Sequence, residues 1–133
     1  MRIGLLEDDA AIVEVFSFAL EARGHTVSPH ATGLSLLHAF FEGDTLRTPL
    51  PYDLLLSDIS LPGEVSGLET LFILYQHVEP TALPAILVSG ANATVLANAK
   101  RLLPDALILR KPIGPLALAH IVEKATVSLQ ATS

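Results

Sequence analysis

The stretch Tyr52-Asp53-Leu54-Leu55-Leu56-Ser57-Asp58-Ile59-Ser60-Leu61-Pro62-Gly63 decides how the rest of the chain is read. Three consecutive leucines end in a carboxylate, and a Pro-Gly turn signal follows shortly after. A continuous apolar run of this length predicts a strand buried on both faces, with Asp58 at its carboxyl end. In open α/β sheets ligands bind at that rim. Asp is equally a favoured turn residue, so this stretch alone leaves a functional and a purely structural Asp58 both open.

On the amino-terminal side, Ile3-Gly4-Leu5-Leu6 predicts a short strand stopped by Glu7, Asp8 and Asp9. Ile12, Val15, Phe16, Ala19 and Leu20 then recur at helical spacing until Gly24, a C-terminal cap signal. Asp9 suits the N-cap, where its side chain accepts from a first-turn N–H that has no helical partner. Thr26-Val27-Ser28 predicts a brief, more polar strand near a sheet edge. Leu34, Leu37 and Phe41 mark one face of a second helix, and residues 43–51, rich in Gly and Pro, read as a rather long connection.

On the carboxyl side, a turn over residues 63–67 leads to Leu68, Leu71, Phe72 and Tyr75, a third helix ending near Pro80. Ala85-Ile86-Leu87-Val88 predicts a fourth strand, closed by Ser89-Gly90, and a fourth helix covers about 93–103 before Pro104. Ala106-Leu107-Ile108-Leu109 predicts a fifth strand leading to Arg110-Lys111-Pro112, and Gly114-Pro115 opens the last helix. Five strands alternating with five helices predict a parallel sheet covered on both faces and wound with right-handed crossovers. The expected organisation is one domain over 1–133, with a core to about 127 and a frayed tail over 128–133.

Composition supports this. A chain of 133 residues buries about 68% of its unfolded surface on folding, enough for a core of its own. There is no cysteine for disulfides or thiolate metal sites, and Glu7 arrives too early for a signal-peptide apolar core, so a cytoplasmic setting is expected. A formal charge of −6, from 14 acids and 8 bases, argues against direct nucleic-acid binding. Residues 80–99 carry no charge, but Pro84, Gly90, Asn92, Thr94 and Asn98 interrupt them, so no membrane span is expected. His25, His30, His38, His77 and His120 are scattered without ligand spacing, which disfavours zinc and suggests surface or partly buried histidines.

A parallel sheet would gather the strand ends on one edge: Glu7 and Asp8 from the first strand, Asp58 from the third, Ser89 from the fourth, Lys111 from the fifth. Two carboxylates about 5 Å apart repel by roughly 3 kcal/mol at an effective dielectric near 20. Either a cation is present, therefore, or one carboxyl is protonated. Hard oxygen donors without cysteine or a nearby histidine favour Mg²⁺. A metal, a carboxylate nucleophile, a lysine and a hydroxyl together are equipment for phosphoryl transfer.

Four segments, Leu5-Leu6-Glu7-Asp8-Asp9, Leu55-Leu56-Ser57-Asp58 with Leu61-Pro62-Gly63, Ala85-Ile86-Leu87-Val88-Ser89-Gly90 and Leu109-Arg110-Lys111-Pro112, resemble the signature segments of CheY-like response-regulator receiver domains. They occur in the right order over nearly the whole chain, each at a predicted strand end. The resemblance implies a flavodoxin-like five-stranded parallel sheet of order 2-1-3-4-5. It implies that Asp58 accepts a phosphoryl group from a phosphohistidine of a sensor histidine kinase or a histidine phosphotransfer protein. Glu7, Asp8 and Asp58, with the backbone carbonyl of Ser60, match the Mg²⁺ ligands. Lys111 matches the lysine beside the phosphoacceptor, Ser89 the hydroxyl that moves toward the phosphoryl group, and Gly90 the small residue next to it. Lys111-Pro112 matches a peptide bond that is commonly cis in the family. A downstream protein effector is also implied.

The chain departs from that pattern in three places. Ile108 stands where many receivers carry an aromatic switch residue, which puts the output mechanism in doubt. The turn after Asp58 looks one residue longer than usual, and the connection over 43–51 looks extended. The fourth and last helices are apolar beyond a single stripe, which suggests a homodimer or partner contact there. Two other functions stay open on the sequence. One is a small Mg²⁺-dependent aspartyl phosphatase, disfavoured because Asp58-Ile59-Ser60 lacks a second acid. The other is a receiver-like interaction module that no longer uses phosphate, suggested by Ile108 and opposed by the complete acid and lysine set.

Overall fold

The computed structural model describes residues 1–58, 67–90 and 93–132, with side chains described as far as residue 125. In chain order the elements are β1 (Arg2–Leu6), α1 (Ala10–Glu21), β2 (Thr26–His30), α2 (Gly33–Phe40), β3 (Phe41–Glu42) and β4 (Thr45–Leu46). They continue with β5 (Leu54–Asp58), α3 (Gly67–Leu74), β6 (Ala85–Ser89), α4 (Ala93–Leu102), β7 (Leu107–Arg110) and α5 (Pro115–Thr132). Five strands form one parallel sheet in the order β2-β1-β5-β6-β7. This is the expected 2-1-3-4-5 order, renumbered by a small hairpin between the second and third strands of the sheet.

That hairpin corrects the reading of residues 43–51 as a plain connection. Phe41 pairs with Leu46 and Glu42 with Thr45, antiparallel, around a turn in which Gly43 has φ 61°. The positive φ suits glycine, which has no Cβ to clash. Phe41 and Leu46 pack on the main core, and the Phe41 ring meets His77 edge-on at 5.1 Å. Two-residue strands are too short to show a period of two, so their pairing left no pattern in the sequence.

The central strands alternate between two cores. Ile3, Leu5, Leu54, Leu56, Ile86 and Val88 pack against Phe16 and Leu20 of α1 and Leu118 and Val122 of α5. Leu6, Leu55, Ala85 and Leu87 pack on the other side, against Leu36 and Phe40 of α2 and Leu71 and Leu74 of α3. The leucine triplet therefore serves both layers, as a strand in the middle of a parallel sheet must. Each such leucine, fully buried, contributes about 1.5–3 kcal/mol relative to exposure.

Local signals explain most boundaries. Asp9 caps α1, its Oδ1 accepting from the N–H of Ala11 at 2.9 Å and of Ile12 at 3.3 Å. The helix ends at Ala22, with Gly24 at φ 89° in the turn beyond it. β2 is the expected edge strand but runs two residues further, through Pro29, which an edge position tolerates.

Two helix faces differ from expectation. In α2 the buried positions are Gly33, Leu36 and Phe40, whereas Leu34 is 55% exposed, Leu37 is half-buried and Phe41 lies beyond the helix. The extended backbone of Phe41 (φ −122°, ψ 142°) ends the helix early, and the buried stripe sits on a different face. In α3 the buried positions are Gly67, Thr70, Leu71 and Leu74, with Phe72 40% exposed, and the segment leaves the helix before Tyr75. Residues 80–99, whose apolar run raised the question of a span, include β6 and the start of α4, and no helix among the described residues is long and apolar enough to cross a membrane.

One close approach shapes the middle of β1. A Cβ at Gly4 would lie 2.6 Å from Cδ2 of Tyr52, inside any real contact distance. The Tyr52 ring lies across β1, edge-on to Phe40 and to His30, each at 5.7 Å. Glycine in the middle of β1 leaves room for that ring.

Candidate functional site

Parallel pairing brings the strand ends together through its register. Leu6 pairs with Ser57, Asp58 with Val88 and Ser89 with Arg110, so the residues just past these positions share one edge. Two further backbone bonds extend the ladder past the strands: Glu7 N–H donates to His30 C=O at 3.0 Å, and Lys111 N–H donates to Ser89 C=O at 2.9 Å. The chain is thus held at the points where Glu7 and Lys111 leave the sheet.

One carboxylate oxygen from each of Glu7, Asp8 and Asp58 lies within 4.8 Å of the others. Glu7 and Asp58 are buried, while Asp8 is exposed. Opposite them, Lys111 Nζ donates to Asp58 Oδ2 at 2.8 Å. Burial opposes the ammonium charge of Lys111, but the hydrogen bond and charge of Asp58 outweigh it and raise its pKa. Burial pushes the Glu7 carboxyl up to about 7; the Asp9 N–H, bonded to Glu7 Oε1 at 3.1 Å, pulls it down, and the charge of Asp58 adds to the rise. A buried carboxyl beside a second carboxylate keeps its proton more readily.

The same oxygens suit a divalent cation. An octahedral Mg²⁺ with bonds of 2.0–2.1 Å spans about 4.2 Å between opposite ligands, comparable with the spread of the three carboxylate oxygens. All-oxygen, acid-rich donors are the set that Mg²⁺ prefers. Glu7, Asp8 and Asp58 therefore fit as protein ligands. Ser60, whose carbonyl the receiver resemblance adds to them, lies outside the described residues, as do Ile59 and the whole turn over 61–66.

Ser89 is fully buried at the end of β6. A Cβ at Gly90 would meet Lys111 Cβ and Cδ at 3.9 Å, an ordinary contact, so a small side chain would fit there. Ile108 is half-buried on β7 and packs on the same side of the sheet as Ala99 and Leu103 of the α4 region. The Lys111-Pro112 bond is cis, and so is Thr48-Pro49, which the sequence reading did not single out.

Two features near the site escaped sequence reasoning. His30, whose carbonyl receives the Glu7 N–H, has its ring between Tyr52 and Ser35: Nε2 lies 2.6 Å from the Tyr52 hydroxyl and Nδ1 2.8 Å from Ser35 Oγ. Its place at the end of β2 is the available signal, hidden because the sequence pattern marks that strand only as far as Ser28. The second is an apolar groove of about 410 Å³ between Ile12, Val15 and Phe16 of α1 and the Lys111-Pro112-Ile113 connection. Val15 was assigned to the buried stripe of α1, yet it is 47% exposed and lines this groove.

No protein-family model matches the sequence, and no curated protein matches it. Solved structures do. A CheY-like response regulator receiver domain protein from Methanospirillum hungatei JF-1 superposes with a TM-score of 0.80 at 25% identity, over 99% of this chain and 98% of that one. The chemotaxis protein CheY4 from Vibrio cholerae gives 0.73 at 18% identity, covering 92% and 96% of the two chains. NtrX from Brucella abortus gives 0.78 at 22% identity over 98% of this chain, which spans 28% of that longer protein. Over almost its whole length the chain has the fold of the CheY-like response-regulator receiver domains.

Proposed function

We propose that this chain, as a single receiver domain over 1–133, is a phosphoacceptor of a two-component phosphorelay, with Asp58 as the residue modified. The observation that carries the reading is the convergence on one sheet edge of Asp58, its 2.8 Å partner Lys111, and the carboxylates of Glu7 and Asp8. The structural neighbours support a receiver in general.

In this reading the donor is a phosphohistidine on a histidine kinase or histidine phosphotransfer protein. An Asp58 oxygen forms the new O–P bond as the P–N bond breaks, and the bonding pair returns to the donor's imidazole nitrogen. Lys111 orients the Asp58 carboxylate and places a positive charge beside the negative phosphoryl oxygens. Ser89 supplies a hydroxyl to one of those oxygens once the group has arrived. Glu7, Asp8 and Asp58, with the Ser60 carbonyl, would hold Mg²⁺, which supplies further neutralisation of phosphoryl charge. The groove beside Lys111 gives the donor protein an apolar wall next to the acceptor.

The output is by protein contact in a cytoplasmic setting, to an effector or to a second copy through α4 and α5, where Val95 and Leu116 are exposed. Ile108 in place of an aromatic residue makes the relay through Ser89 and Gly90 a matter of aliphatic packing.

The test is incubation with Mg²⁺ and acetyl phosphate, followed by intact mass. The expected result is a Mg²⁺-dependent gain of one phosphoryl group that disappears in Asp58→Asn. Rapid multiple turnover without a lasting adduct would point to a phosphatase, and no adduct with any donor would sink the phosphoacceptor reading.

A further inference from the structure

The opposite edge of the sheet holds a second cavity, and its chemistry differs from that of the Asp58 edge. It has a volume of about 200 Å³ and lies below the starts of β6 and β7, between the carboxyl ends of α3 and α4. Phe72 and Tyr75 form one wall, Leu102 and Leu103 another, and Pro80, Pro84 and Pro104 complete the lining. The void follows from the chain's punctuation. α3 and α4 stop at Leu74 and Leu102, and the turns that follow carry prolines that neither prolong a helix nor offer an N–H. Those rings also make the walls stiff, so the space exists before anything binds.

The hydrogen bonds of the wall identify what would fit. Tyr75 donates its hydroxyl to the carbonyl of Leu83, Lys100 Nζ donates to Pro104 C=O at 3.1 Å, and Gln76 Nε2 donates to Phe72 C=O at 3.2 Å. Pro84 C=O accepts from Leu55 N–H at 2.9 Å, and Leu103 C=O from Ala106 N–H at 3.1 Å. These five carbonyls are thus satisfied internally. Two polar residues line it as well, Asp105 and Gln76, both exposed, the amide nitrogen of Gln76 being engaged. Both are acceptors, and one is an anion.

We propose that this cavity binds a small organic ammonium with an aromatic or branched apolar body. The apolar part would fill the space between Phe72, Tyr75 and Leu103, and the ammonium would donate to Asp105 and to the Gln76 oxygen. The size agrees: a cavity of about 150 Å³ lined by apolar side chains takes up benzene, and this one leaves room for a short substituent. A carboxylate near aromatic faces favours a cation over a neutral or anionic ligand of the same shape.

The experiment uses the full chain, labelled with ¹⁵N, and three probes of one shape: protonated benzylamine, neutral benzyl alcohol and anionic phenylacetate. Amide shifts are followed at Gln76, Asp105 and Ala106, and at Glu7 and Asp8 on the far edge. Saturable millimolar binding of benzylamine at the first three amides is expected, with benzyl alcohol weaker by about tenfold, the difference one charge-assisted hydrogen bond makes. Phenylacetate should give no saturation, and Asp105→Asn should remove the preference for the amine. Equal affinity for all three probes would overturn the proposal, as would shifts confined to Glu7 and Asp8, absence of saturation with benzylamine, or an undiminished amine preference in Asp105→Asn. The probe comparison on the unsubstituted chain decides the matter even where a variant is lost to misfolding.

Discussion

The two edges of one sheet are built on opposite terms. At the carboxyl edge three acids crowd within 4.8 Å beside the Lys111–Asp58 contact, and burial forces Glu7 toward its neutral form. At the amino edge, aromatic rings and prolines close the layers, Tyr52 lying over Gly4 and Tyr75 hydrogen-bonded to the carbonyl of Leu83. The first arrangement lowers stability and creates chemistry; the second adds stability through packing and paired backbone carbonyls. Substitutions at the two edges should therefore move stability in opposite directions.

The largest effect is expected at the amino edge. Leu83 is fully buried, and its side chain packs in the core shared by α2 and α3. Leu83→Ala removes that packing and leaves a hole, so it should destabilise by about 2–5 kcal/mol, read as a lower urea midpoint with an unchanged slope. A loss under about 1 kcal/mol would mean that this edge collapses freely around the deletion, and the contrast between the edges would weaken.

A smaller effect of the opposite sign is expected at the carboxyl edge. Glu7→Gln retains an oxygen for the Asp9 N–H and deletes a buried charge beside Asp58. With a chelator present at pH 8, the variant should be more stable than the parent by about 1–2 kcal/mol, as relief of desolvation and like-charge repulsion requires. Destabilisation of the same size would show that the Glu7 charge is compensated locally, and the carboxyl edge would no longer be the costly one.

The same division explains what was legible beforehand. Glu7, Asp8, Asp58, Ser89 and Lys111 each follow a short apolar run, and strand ends in a parallel sheet have to meet, so topology and residue type together named the site. The sheet order followed in the same way from alternation of strands and helices. The face of α2 was misread because Leu34, Leu36, Leu37, Phe40 and Phe41 allow more than one helical stripe, and only packing against β1 and β5 selects Leu36 and Phe40. The hairpin of Phe41 and Leu46 was too short to have a period. The amino-edge cavity was invisible for a different reason: Phe72, Pro84 and Leu103 carry no chemical mark, and a void is a property of how elements end, not of any residue.

The smallest expected effect concerns His30, which stands between the two edges, its carbonyl on Glu7 and its ring on Tyr52 and Ser35. Burial lowers its pKa below the ordinary histidine value, so the folded chain holds the ring neutral. A pKa depressed by folding contributes stability that is present above the unfolded value, near 6.5, and is lost as pH falls through the folded value. His25, lowered by burial and by the neighbouring amino terminus, acts in the same direction. The raised Glu7 carboxyl acts in the opposite sense, gaining stability as pH falls through about 7, so the His30 share is read as a difference: the stability of His30→Gln, which keeps a donor and an acceptor for Tyr52 and Ser35, relative to the parent should rise as pH drops from about 7 toward 5. Urea titrations of both proteins across this range check it. Parallel pH profiles would mean that the His30 ring meets no greater cost on protonation in the folded chain than in the unfolded one, and that the Tyr52–His30–Ser35 bridge does not hold the ring neutral.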